Sequence, residues 1–166
     1  MSGHEPLSWR LWRDPEVVLV CGLGSGFAPY APGTFGSVLA VLIWWFLLAP
    51  LGLVSQLLVI VTVTALGTWL THRVRKRYGV GDPGAIVIDE FAGQWVVLLA
   101  APVELWVALL GFALFRLFDI WKPWPVGYLE RNVGGAFGVM IDDLAAGIMG
   151  LAVLQFTIWA GLTLPY

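Results

Sequence analysis

The sequence predicts an all-α protein, a polytopic membrane helical bundle with about five membrane helices and a cytoplasmic N-terminus. Three observations support this fold class. Hydrophobic residues make up 59% of the 166 residues, and the mean hydropathy is +0.84. Charged residues make up only 12%, whereas soluble domains carry about 25%. Lys and Arg cluster in alternate connections between apolar runs, as they do in cytoplasmic loops.

Five apolar runs are interpreted as membrane helices, since a spanning helix needs about 20 residues. The first two runs are separated near "APLGLVS". The third run is short and is expected either to span the membrane or to form a re-entrant segment. The predicted segments are Val38–Val54, Val54–Thr71, Ile86–Ala101, Leu105–Trp121 and Leu144–Leu164.

Residues 1–166 are expected to form one domain, with 1–20 as a cytoplasmic N-terminal segment. Residues 1–16 are polar and do not have the pattern of a cleaved signal peptide. Cys21 is the single cysteine, so no intrachain disulfide can form. The net charge of −2 gives no indication of a nucleic-acid partner.

The basic residues predict how the bundle is oriented. They lie before the first segment and after the second and fourth, whereas the connections after the first and third contain none. The positive-inside rule therefore places the N-terminus and the two basic connections in the cytoplasm. The basic cluster at 73–77 is interpreted chiefly as this topology signal, with binding of anionic lipid as the alternative.

Carboxylates gather on the same predicted side of the membrane. Asp89 and Glu90 begin the third segment, Asp142 and Asp143 begin the fifth, and Asp119 lies near the end of the fourth. Acidic residues in a first turn also cap helices and suit the helix dipole. Two pairs and a fifth carboxylate at one depth favour a functional site, because charges in a membrane are costly. All five are candidate ligands of Mg²⁺, which prefers oxygen.

Two basic residues have alternative interpretations. Arg116 and Asp119 are spaced i, i+3 on one helix face. Either they pair with each other, or Arg116 binds a phosphate while Asp119 binds metal. Lys122 lies in "WKPWP" and either extends to the membrane interface or neutralises a phosphate.

A glycine-rich stretch, "GLGSGFAPYAPGTFGSV", precedes the first segment. A helix N-terminus behind such a loop can bind an anion, and Gly33 permits close backbone approach. Gly33, Thr34 and Ser37 are therefore candidate phosphate donors. An ordinary structured entry loop is the alternative, and the stretch is not a Walker A motif because no Gly-Lys-Ser/Thr follows.

Phosphatase chemistry through a protein nucleophile is disfavoured. His4 and His72 lie beside no nucleophile pattern, Cys21 has no Arg six positions later, and Asp-x-Asp is absent. Water activated by a carboxylate-held metal is the mechanism left.

At these motifs the chain resembles the phosphatidylglycerophosphatase A family of bacterial membrane enzymes. The matching blocks are "GSGFAPYAPGTFGS", "IVIDEFAGQWV", "FRLFDIWKPWPVGYLERNVGG" and "GVMIDDLAAGI", within residues 22–150. The resemblance implies Mg²⁺-dependent hydrolysis of the terminal phosphate of phosphatidylglycerophosphate. The products would be phosphatidylglycerol and phosphate, formed at the cytoplasmic face of the bacterial inner membrane.

The resemblance also suggests roles for the candidate residues. Asp89, Glu90, Asp142 and Asp143 would be the catalytic groups that bind Mg²⁺ or orient water, and Asp119 a further ligand. Arg116 and Lys122 would neutralise the phosphate, and Gly33, Thr34 and Ser37 would donate to it.

Three other functions remain as alternatives. A CDP-alcohol transferase is disfavoured because its Asp-Gly-x2-Ala-Arg run is missing. A small transporter would place its charges near the bilayer midplane, whereas these lie at one end. A scaffold subunit would show no metal dependence.

Overall fold

The computed structural model describes residues 7–80 and 84–163, and every regular element within these ranges is helical. Two 3₁₀ turns, Trp9–Leu11 and Gly22–Phe27, flank the first α-helix. The α-helices are α1 (Pro15–Val20), α2 (Pro32–Ile43), α3 (Leu53–Tyr78), α4 (Ile88–Val97), α5 (Leu105–Trp121), α6 (Val126–Asn132) and α7 (Gly135–Thr163). Residues 1–6 of the predicted N-terminal segment, and Leu164 at the predicted end of the fifth, lie outside the described residues.

Each predicted membrane segment corresponds to a helix, although most of the predicted bounds were wrong. The fourth segment matches α5. The first predicted segment corresponds to α2, which begins at Pro32 rather than Val38, because proline suits the first turn of a helix. It continues through a π-helical turn at Trp44–Leu48. The second helix, α3, continues past Thr71 and stops before Gly79, which has a φ of 65° and ends the helix in the left-handed region.

The start of the fifth segment requires the correction that matters most for the site. Helix α7 begins at Gly135 rather than Leu144, because Ala136 and Met140 are buried against the bundle and extend the helix by packing. Asp142 and Asp143 therefore lie about two turns inside α7, and not in its first turn.

Two helices, α3 and α7, are long and apolar enough to cross a membrane, which indicates membrane association. Large apolar side chains on α3 are exposed, among them Val54, Leu58 and Val61. The continuous helix Pro32–Leu48 is apolar but shorter. Helix α4 rises only about 15 Å, half of the roughly 30 Å hydrocarbon core, so it does not cross alone. Five spanning helices stay a prediction.

Helix α4 lies inside the bundle and packs against α7 without intervening side chains. A Cβ added at Gly93 would lie 2.6 Å from the Asp143 carbonyl oxygen, and one at Gly147 would lie 2.5 Å from the Gly93 carbonyl oxygen. Further along, a Cβ at Gly150 would lie 2.8 Å from Val97. The two backbones touch, as at small-residue crossings of membrane helices, and the order of the contacts shows that α4 and α7 run parallel.

The N-terminal part is tied to the end of α3 by ion pairs. Asp14 caps α1 by accepting from the Glu16 N–H, and its Oδ2 accepts from Arg77 Nη1 and Tyr78 Oη, each at 2.8 Å. Glu16 pairs with Arg73 at 2.8 Å and with Arg77 at 2.9 Å. Arg73 and Arg77 of the basic 73–77 cluster therefore bind the N-terminal part to α3.

The crossing predicts a selective loss of stability. Gly147→Ala places a methyl group against the α4 backbone, and overpacking of this kind costs about 1–3 kcal/mol. We expect a clear fall in the midpoint of thermal unfolding in detergent. Gly161→Ala is the matched control on α7, because a Cβ there meets nothing within 4 Å. Equal midpoints for the two variants would contradict the close crossing.

Candidate metal and phosphate site

Three carboxylates from α4 and α7 form the centre of the site. Asp89, Glu90 and Asp143 each offer an oxygen atom, and these atoms all lie within 4.8 Å of one another. Asp89 is 8% exposed and Asp143 is 4% exposed. Within the part of the chain that the structure describes, Asp89 Oδ1, Glu90 Oε2 and Asp143 Oδ2 are buried and have no hydrogen-bond partner. We call these three residues the carboxylate triad.

The triad is electrostatically unfavourable without a cation. Two unit charges 4.8 Å apart repel by about 3.5 kcal/mol at an effective dielectric constant of about 20. Buried carboxylates are usually paired with a cation or bound to a metal. Oxygen ligands of this kind suit a hard divalent cation such as Mg²⁺. The unpartnered oxygens and the donor set therefore fit a metal site, although they do not identify the metal.

The close crossing of α4 and α7 brings the triad together. Asp89 lies four residues before Gly93 on α4, and Asp143 lies four residues before Gly147 on α7, so each carboxylate is one helical turn from its glycine. The parallel contact of the two glycines therefore brings Asp89 and Asp143 to one level. The entry to α4 is held by the Val87 N–H, which donates to the Val20 carbonyl at 2.9 Å.

Glycine at position 33 leaves room for the Glu90 carboxylate. A Cβ added at Gly33 would overlap the Glu90 Oε1 atom and lie 3.2 Å from Arg116 Nη1. The start of α2 is thus in contact with one member of the triad, which makes Gly33 a packing residue of the site. Thr34 lies in the same helical turn, where its N–H donates to the Ala31 carbonyl at 2.9 Å.

Arg116 and Asp119 form the internal ion pair that their spacing allowed. Arg116 Nη1 lies 2.7 Å from Asp119 Oδ2, and both side chains are largely buried. Arg116 also donates to Ser37 Oγ at 3.5 Å, while Ser37 Oγ donates to the Gly33 carbonyl at 2.8 Å. The guanidinium is therefore held beside Glu90 by two helices, with its buried Nε unpartnered among the described residues.

Lys122 bridges α6 and α7. Its Nζ lies 2.7 Å from Glu130 Oε1 and 2.9 Å from Asp142 Oδ2. Burial lowers the pKa of Lys122, but the hydrogen bonds to Glu130 and Asp142 outweigh it and raise the pKa above its ordinary value. The lysine stays protonated and fixes Asp142, whose buried Oδ1 is left without a partner in the described structure.

A polar cavity of about 330 Å³ opens onto the triad. The sequence prediction missed part of its lining, including Arg75, Glu130 and the glycines at the start of α7. Helix α6, which carries Glu130, was not predicted. The described residues lining the cavity are Arg75, Gly84, Ile86, Asp89, Glu90, Asp119, Lys122, Glu130, Val133, Gly134, Gly135, Gly138, Val139, Asp142 and Asp143.

The ten predicted site residues thus fall into two groups. Six line the cavity, namely Asp89, Glu90, Asp119, Lys122, Asp142 and Asp143. Four do not line it, namely Gly33, Thr34, Ser37 and Arg116, although Gly33 and Arg116 lie against Glu90. The structure therefore brings nearly all of them to one end of the bundle but gives them different partners.

Comparison with known proteins identifies relatives of the whole chain. The family model described as Phosphatidylglycerophosphatase A matches residues 18–158. Phosphatidylglycerophosphatase A of Escherichia coli strain K12 is 43% identical over 86% of this chain and 83% of its own length. Phosphatidylglycerophosphatase A of Haemophilus influenzae is 39% identical over 93% of this chain and 95% of its own length.

A third relative has a different name. A provisionally named phosphatidylinositol-3-phosphatase of Bacteroides thetaiotaomicron is 39% identical over 86% of this chain and 93% of its own length. No solved structure matches the chain.

The contact between Gly33 and Glu90 predicts an effect on divalent-cation binding. Gly33→Ala displaces the Glu90 carboxylate, and changes beside a metal ligand cost about 10–100-fold in affinity. We expect weaker Mn²⁺ binding by calorimetry on protein in detergent. Gly134→Ala is the control, because it lines the same cavity and a Cβ there meets nothing within 4 Å. Unchanged binding by Gly33→Ala would exclude a role for this contact.

Proposed function

The chain belongs to the phosphatidylglycerophosphatase A family, whose members are phosphatases acting on phosphatidylglycerophosphate, and we propose that it hydrolyses that lipid with the help of Mg²⁺. Water would displace the terminal phosphate, giving phosphatidylglycerol and inorganic phosphate. The observation that carries the metal dependence is the carboxylate triad, whose buried oxygens have no partner in the described structure.

We assign metal binding to Asp89, Glu90 and Asp143. A Mg²⁺ ion held there supplies Lewis-acid polarisation of a phosphoryl oxygen and activation of water. Asp119 is assigned to holding Arg116, since the two side chains already pair at 2.7 Å. Arg116 would then neutralise the terminal phosphate next to Glu90, and the start of α2 would add the Gly33 N–H and the helix dipole. Ser37 acts on the phosphate through its contact with Arg116.

Asp142 is assigned to the water instead of the metal. Lys122 binds its Oδ2 at 2.9 Å, its Oδ1 has no partner among the described groups, and the residue lines the cavity. This oxygen would orient the attacking water and accept its proton as the bond from phosphorus to the glycerol oxygen breaks. The leaving oxygen takes up a proton from solvent water and becomes the hydroxyl of phosphatidylglycerol, and Asp142 returns its proton to the solvent.

We further propose that the cavity faces the cytoplasm from the bacterial inner membrane. The basic 73–77 cluster and Lys122 lie at the same end of the bundle as the triad, and the connections at the opposite end contain no Lys or Arg. Exposed aromatic side chains also lie near this end, among them Trp121 and Trp124, as in the aromatic belts at membrane interfaces. Five membrane helices in a multi-pass protein remain part of this proposal, with α4 entering the membrane although it is too short to cross it alone.

The relatives argue against the alternative functions. Two of them are named as phosphatases of this lipid and the third as a phosphatase of another phospholipid, and none of the three names describes a transporter, a transferase or a scaffold. The name of the Bacteroides protein suggests phosphatidylinositol 3-phosphate as a second substrate to test.

Phosphate release by purified protein tests the activity directly. We expect release from phosphatidylglycerophosphate with Mg²⁺, little or none after chelation, and recovery when Mg²⁺ is restored. The same assay with phosphatidylinositol 3-phosphate tests the second lipid. Folded protein that releases phosphate from neither lipid would contradict the proposed function, and activity that survives chelation would contradict the metal.

Two isosteric variants should separate metal binding from water activation. Asp143→Asn removes a proposed ligand, so the Mg²⁺ concentration for half-maximal rate should rise by about tenfold or more. Asp142→Asn removes the proposed base, so the maximal rate should fall by about 10²–10⁴-fold at an unchanged Mg²⁺ requirement. The measurement is the rate against Mg²⁺ concentration. A lowered maximal rate for Asp143→Asn, together with a raised Mg²⁺ requirement for Asp142→Asn, would exchange the two roles.

A further inference from the structure

The basic cluster at the end of α3 divides into two faces. Arg73 and Arg77 are four residues apart and share one face, where they bind Glu16 and Asp14. Arg75 lies two residues from each, about 200° around the helix, and lines the cavity of the carboxylate triad. The cluster is therefore more than a topology signal, because one of its members points toward the site.

Arg75 differs from the other cations of the site in having no acidic partner. Arg116 is paired with Asp119, and Lys122 is paired with Glu130 and Asp142. Among the residues that the structure describes, Arg75 makes no ion pair and no side-chain hydrogen bond. The residue is half-buried and lines the cavity, so its side chain is available to a ligand.

The cavity is strongly acidic, so an anionic ligand needs this arginine. Its described lining carries two cations, Arg75 and Lys122, against six carboxylates, namely Asp89, Glu90, Asp119, Glu130, Asp142 and Asp143. A metal ion would offset only part of this charge. The substrate of the proposed function carries two phosphates, a terminal monoester and a phosphodiester joined to the lipid. In the proposed function the monoester would contact Arg116 and the metal ion held by the triad, which leaves the phosphodiester without a partner.

We propose that Arg75 binds the phosphodiester of the lipid, as a substrate-binding residue separate from the groups that act on the terminal phosphate. This inference rests on the proposed function for the identity of the substrate. An arginine suits the role because its planar guanidinium can donate two parallel hydrogen bonds to a phosphate. Binding at both phosphates would select lipids that carry a phosphodiester in addition to the scissile monoester.

The first test measures binding without turnover. Short-chain phosphatidylglycerol keeps the phosphodiester and lacks the monoester, so its affinity reports on Arg75 alone. Arg75→Gln should weaken its binding by about tenfold or more, since hydrogen bonds to charged groups are worth about 1.5–3 kcal/mol. Arg75→Lys keeps the charge and should fall in between. Lys76→Gln is the matched control. It removes the same charge from the neighbouring residue, whose side chain does not line the cavity.

The second test uses the kinetics of phosphatidylglycerophosphate hydrolysis. Arg75→Gln should raise KM by about tenfold with kcat within about threefold, because it removes an interaction made equally in the ground state and the transition state. Inhibition by inorganic phosphate should not change. A fall in kcat at constant KM, or equal effects of Arg75→Gln and Lys76→Gln, would overturn the assignment. If wild-type protein binds phosphatidylglycerol through Arg75 but shows no turnover, the proposed function fails and the phosphodiester site stands.

Discussion

The direct contact between the backbones of α4 and α7 is the constraint on which the site depends. Because Gly93 and Gly147 have no side chains, the two helices approach until a carbonyl oxygen of one lies only 2.5–2.6 Å from where a Cβ of the other would be. Asp89 and Asp143 each lie one turn from these glycines, so the helical contact places two buried carboxylates side by side. Glu90 completes the triad from the same turn of α4, and Gly33 leaves room for it at the start of α2. A short helix that cannot cross a membrane thus carries two of the three central groups.

The pairing of charges around the triad divides the polar residues by role. Arg116 pairs with Asp119, and Lys122 pairs with Asp142 and Glu130. Among the charged residues that line the cavity in the described structure, the triad and Arg75 are left without an ion-pair partner. A cation and an anion are the ligands that such a cavity would bind together. This is the charge pattern expected for a phosphate ester brought to a divalent metal ion.

The sequence predicted the helical class and the residues of the site better than it predicted their partners. Apolar runs identified the helices because burial in a bundle or a bilayer needs them. The start of α7 was missed because packing of Ala136 and Met140, and not local propensity, extends the helix. The Arg116–Asp119 pair was foreseen as one alternative since i, i+3 spacing is a local property. The Lys122–Asp142 pair could not be foreseen, because it joins different elements and depends on the turn into α6. A local sign of the crossing was present, since Asp89 and Asp143 both precede a glycine by four residues.

The central claim is that the triad binds the metal used in hydrolysis. Anomalous diffraction from crystals of active protein grown with Mn²⁺ would locate the ion directly. The account predicts a peak between the carboxylates of Asp89, Glu90 and Asp143, with Asp142 still bound to Lys122 and Asp119 still bound to Arg116. A peak held by Asp142 and Glu130 with Lys122 displaced, or no peak in crystals of protein that Mn²⁺ activates in solution, would contradict it.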